Sequence, residues 1–98
     1  MWFLRTRARP DPASELAARY GGAHICCWID TDDEGVALAA ADDMLRFYGW
    51  LMSLYVHESY QVSREGQPAK SLPFFDRAQE EGFAHIAVTW PLGESGES

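Results

Sequence analysis

The chain has 98 residues, 15 acids against 8 bases and a net charge of −7, enough for one modest core and no second domain. An apolar content of 47% excludes a disordered chain, and the acidic balance argues against nucleic acid as a partner. No apolar run approaches the ~20 residues that span a bilayer, so no membrane partner is expected either.

The first four residues are apolar, but Arg5 follows at once, unlike a secretory leader. Cys26 and Cys27 are adjacent, point to opposite sides of a strand and cannot staple distant segments. A reducing, cytoplasmic setting is the expectation.

Residues 2–7 alternate bulky and charged positions, which suits an edge strand with its arginines on the open side. Pro10-Asp11-Pro12 ends it. A short helical turn over 13–20 is expected to pack Leu16 inward, with Gly21-Gly22 as its stop. Residues 23–30 form the second strand. Thr31-Asp32-Asp33-Glu34 then matches a capping box, with Thr31 as N-cap and Glu34 reaching back. The main helix is expected over 32–48. Its apolar stripe is Val36, Ala37, Ala40, Ala41, Met44, Leu45, Phe47 and Tyr48, and the alanines let it lie close to a sheet. Gly49 ends it in the left-handed conformation.

Residues 50–62 read as a long strand, bent by a bulge where the alternation runs past Glu58. A polar loop over 63–71 leads to a second helix over 72–81, whose Pro73 is tolerated only in the first turn. Gly82 closes that helix, 83–90 is the last strand, and the acidic tail over 93–98 is expected to be disordered. The order strand, strand, helix, strand, helix, strand predicts one α+β domain over 1–92. The expected fold is a two-layer sandwich, ferredoxin-like or permuted ferredoxin-like, with about four strands and both helices on one face.

Gly49-Trp50 and the run Phe75-Asp76-Arg77-Ala78 through Gly82, with its Glu-Glu-Gly turn into a final apolar strand, carry a family resemblance. Over 23–90 the chain resembles small bacterial α+β proteins of uncharacterised function. The resemblance implies no catalytic residues.

The candidate site follows from strand alternation. With Ile25, Cys27, Ile29, Leu54, Val56, Ile86 and Val88 toward the core, the residues His24, Cys26, Trp28, Tyr55, His57 and His85 share the other face. Two helices on one side leave that face bare, and such a patch marks an interface or ligand site. A second copy pairing sheet on sheet would cover it. Otherwise the N-terminal segment or the 63–71 loop folds over it. The leading expectation is a non-enzymatic interaction module that forms a homodimer. The alternatives are a small barrel that binds or transforms a small molecule with His and Tyr, and an acidic inhibitor of a basic protein.

Three imidazoles and Cys26 are zinc-type donors, but their spacing lacks a CxxC or HExxH pattern, and no metal or other cofactor is assigned. Cys26 needs a positive neighbour to become a nucleophile, and Ser53 lacks an oxyanion loop. The run Asp30, Asp32, Asp33 and Glu34 is accounted for by helix capping rather than by a calcium loop. Asp30, Asp33, Asp42 and Asp43 remain as a docking patch for a basic partner.

Overall fold

In a computed structural model the chain forms four strands and two helices: β1 (Trp2–Pro10), β2 (Tyr20–Ile29), α1 (Glu34–Phe47), β3 (Trp50–Gln61), α2 (Leu72–Glu81) and β4 (Phe83–Pro91). The structure describes residues 1–94, with 54–57 described only as part of the β3 backbone. Most of the expected disordered tail, from residue 95 on, lies outside the described residues. Short 3-10 turns occupy Glu15–Ala18, Arg64–Gly66 and Ala69–Ser71. The first of these is the expected turn, with Leu16 packed against the core.

The strands make one open antiparallel sheet in the order β3-β1-β2-β4. The α+β class therefore holds, but three finer expectations do not. First, β1 lies in the middle of the sheet, paired with both β2 and β3. Its Arg5 and Arg7 stand on one face of a central strand; they do not guard an edge. Second, the topology departs from the ferredoxin-like pattern. β1 is antiparallel to β2 and β3, and β4 is antiparallel to β2, so only β2–α1–β3 joins strands that run the same way, whereas β3 and β4 run in opposite directions.

Third, the helices sit on opposite faces. Ala37, Ala41 and Leu45 of α1 pack on Leu4, Ala8, Ala23, Ile25, Cys27 and Ile29. Phe75 and Ala78 of α2 pack on Phe3, Trp28 and Ala84. Cys27 and Trp28 are neighbours in one strand, so their side chains leave the sheet in opposite directions. The α1 face holds the larger core, in which Leu4, Ile25 and Leu45 are fully buried, each stabilising by roughly 1.5–3 kcal/mol.

Local sequence explains the helix ends. Asp33, with extended backbone, caps α1 by accepting from Val36 N at 2.9 Å. The predicted cap, Thr31, instead accepts from Asp33 N at 3.3 Å, and Glu34 accepts from the Ser59 hydroxyl at 2.8 Å. A carboxylate placed at the last extended residue wins over the hydroxyl two positions earlier. Gly49 takes φ +93° beyond the helix end, where any side chain is strained. The buried stripe is narrower than its periodicity: Val36, Phe47 and Tyr48 are exposed. Among the described residues, no helix is long and apolar enough to cross a membrane.

Candidate functional site

The α2 face of the sheet is divided along its length. Toward the β1 N-terminus it is roofed by α2 and the 63–71 segment. Toward the β1 C-terminus it carries Arg7, His24 and Trp90. The wholly bare face expected from the sequence is thus partly covered, by α2 and by the loop.

Beneath the roof, aromatic rings run across the sheet. Tyr60 and Phe3 centroids are 5.2 Å apart, Phe3 meets Trp28 edge-on at 5.2 Å, and Trp28 stacks on Phe74 at 5.1 Å and 11°. These are favoured aromatic separations. Trp28 is buried, and its indole N–H donates to Gln67 Oε1 at 3.1 Å, tying the loop to the sheet. At the loop's start, Arg64 holds Asp76 of α2 through two contacts of 2.9 and 3.3 Å. That pair holds the Asp76 carboxyl below its ordinary range, chiefly through the hydrogen bond from the guanidinium.

Between loop and sheet lies an open groove of about 840 Å³. Its walls are Phe3, Cys26, Trp28, Tyr60, Val62, Phe74 and Ile86, and its polar lining includes Arg5, Gln61, Ser63, Gln67, Lys70 and Ser71. Arg5 is half-exposed and lies 3.6 Å from Glu58 across the β1–β3 ladder. Lys70 makes no ion pair among the described residues. The described lining contains no histidine and no carboxylate.

The six predicted face residues separate. Cys26 and Trp28 line the groove. His24 shares their face but lies farther along β2, exposed, with its ring 5.1 Å from Trp90. Trp90 also carries Arg7 at 5.2 Å and covers Gly22 so closely that a Cβ there would stand 2.3 Å from its ring. His85 is on the opposite, α1 face: it pairs with Cys27, half-buried between Tyr48 at 4.7 Å and Phe83 at 5.5 Å. Its pKa is lowered because burial disfavours the imidazolium. The predicted sharing of one face by three imidazoles is therefore overturned. The phase of β4 is set by pairing with β2, which turns Ala84 and Ile86 toward the α2 face, opposite to the expectation. The side chains of Tyr55 and His57 lie outside the described residues.

Among the described residues, no three His, Cys, Asp or Glu side chains gather as a metal ion requires. Cys27 is buried on the α1 face, where loss of solvation, and secondarily the neighbouring Cys26, push its thiol up to about 12. The acidic residues are dispersed. Asp33 caps α1, Asp42 pairs with Arg46 at 3.2 Å, and Asp30 and Asp43 are exposed. Asp33 and Asp42 stand roughly 13 Å apart along the helix axis.

Sequence reasoning missed Tyr60, Gln67, Phe74 and Lys70 as groove residues. Phe74 and the polar loop were visible, but only the tertiary fold brings them over Trp28. Compared with known proteins, the chain matches no family model, no curated protein and no solved structure.

Proposed function

We propose that this protein is a cytoplasmic binding module that holds a small amphipathic anion, a hydrophobic ring system bearing a carboxylate or sulfonate, in the groove beneath the 63–71 segment. The carrying observation is the pairing of an aromatic wall with two cations in an otherwise acidic chain. The groove's volume falls within the ~300–1,000 Å³ of small-molecule sites, and its mostly apolar wall with a few polar groups is their usual chemistry. Tyr60 and Ile86 are 47% and 41% exposed, so they offer apolar surface that a ligand can cover. Arg5 and Lys70 supply the charge at the rim. The two free cysteines support a reducing compartment.

The test is a fluorescence titration with 1-anilinonaphthalene-8-sulfonate beside its uncharged analogue N-phenyl-1-naphthylamine. The sulfonate is expected to bind the folded protein saturably at one site and to slow alkylation of Cys26, with buried Cys27 unreactive in the native state. Lys70→Glu should weaken it several-fold, and Tyr60→Asp should abolish it. Equal binding of both dyes, or protection of Cys26 by neither, rejects the reading.

A further inference from the structure

At the margin of the groove, with which it shares Ile86, we infer that β4 is a self-pairing edge through which two copies of the chain join into one continuous eight-stranded antiparallel sheet. Among the described residues β4 ends the sheet, so one side of its backbone offers a row of donors and acceptors unpaired by them. Monomeric proteins protect such rows with charge, bulges or short strands. β4 is neither short nor charged, and the irregularity in its pairing is confined to its C-terminal end, opposite Tyr20 and Gly22. It is nine residues long, FAHIAVTWP, with no Asp, Glu, Lys or Arg in a chain that is 23% charged. Its ladder with β2 is regular from Gly22 to Ile29. The opposite edge, β3, carries Glu58, and its register shifts twice along β1, so it is the guarded side.

The exposed side chains of β4 point the same way. Val88 is 64% and Ile86 41% exposed, both on the α2 face. Each copy carries a net charge of −7, so two copies repel except along a neutral strip, and β4 is such a strip. The strand is also self-complementary. An antiparallel pair of identical strands overlaps over all nine residues only when Ala87 faces Ala87 of the second copy. That register sets Ile86 against Val88, small Ala84 against large Trp90, and His85 against Thr89, each pair on one face. A twofold axis through Ala87 closes the assembly at two copies.

Sedimentation equilibrium of the full chain from 1 to 200 µM is expected to show a monomer–dimer equilibrium. Val88→Lys should raise the dissociation constant about tenfold or more, with an unchanged circular dichroism spectrum because the position is exposed. The double variant I86K/V88E should restore dimers, since the ammonium introduced on each copy then meets the carboxylate introduced on the other. In the parent protein, outward β4 amides should exchange faster on dilution. A monomer at 200 µM, a V88K variant that dimerises like the parent, or β4 exchange independent of concentration overturns the inference. A dimer that V88K disrupts but I86K/V88E does not restore rejects the Ala87-centred register on which it rests.

Discussion

The two faces of the sheet are built on different principles. On the α1 face, alanines and aliphatic side chains bring helix and sheet into close contact, and ten residues form one buried cluster. On the α2 face, five buried residues, with aromatic rings among them, make a smaller cluster under a short helix and a polar loop. Small side chains permit close approach of backbones, whereas rings hold the covering element off the sheet and leave a groove at the margin. The α1 face thus holds the larger buried core, and the α2 face leaves the open groove.

Three measurements break or sharpen this contrast. Leu45→Ala empties a fully buried site at the centre of the α1 cluster and should lower global stability by ~3–5 kcal/mol, read from urea unfolding. Phe75→Ala, on the other face, should cost ~2–3 kcal/mol, because α2 undocks locally before the sheet unfolds. Its mark would be selective loss of amide protection in 63–81 with β1 and β2 still protected. Equal losses in both regions would mean that the faces are one cooperative unit.

The smallest effect is a pH dependence from His85. Its folded pKa lies below the ordinary 6.5 because of burial, so the unfolded chain binds the proton more readily. The contribution to stability is therefore complete above about pH 6.5 and is lost as the pH falls through the lowered folded value. His85→Phe should flatten the unfolding midpoint across that window relative to the parent. An unaltered slope would place His85 in solvent.

Much of the local structure is legible in the chain. Gly49 and Gly82 end helices where periodicity stops, Pro73 sits in a first turn, and β2, β3, α2 and β4 fall within a few residues of their expected limits. Charge misled at β1, since Arg5 and Arg7 are compatible with a central strand when one face of it is partly open. Periodicity misled at α1, because the sheet leaves Phe47 and Tyr48 uncovered beyond its reach.

Sequence alone determined which neighbours within one strand share a side, as for Cys26 and Trp28 against Cys27, because alternation is a property of the extended backbone. It also determined where helices stop, since glycines such as Gly49 and Gly82 act over a few residues, whereas the start of α1 fell two residues past its expected place, at Glu34 behind the Asp33 cap. Only the tertiary structure decided which side of β4 meets which side of β2, and where α2 lands. In β4 both sets of alternating residues are apolar enough to be buried, so hydrophobic pattern cannot choose between them. Interstrand hydrogen bonding and the docking of Phe75 and Ala78 on Trp28 and Ala84 make that choice, and they move His85 to the far face.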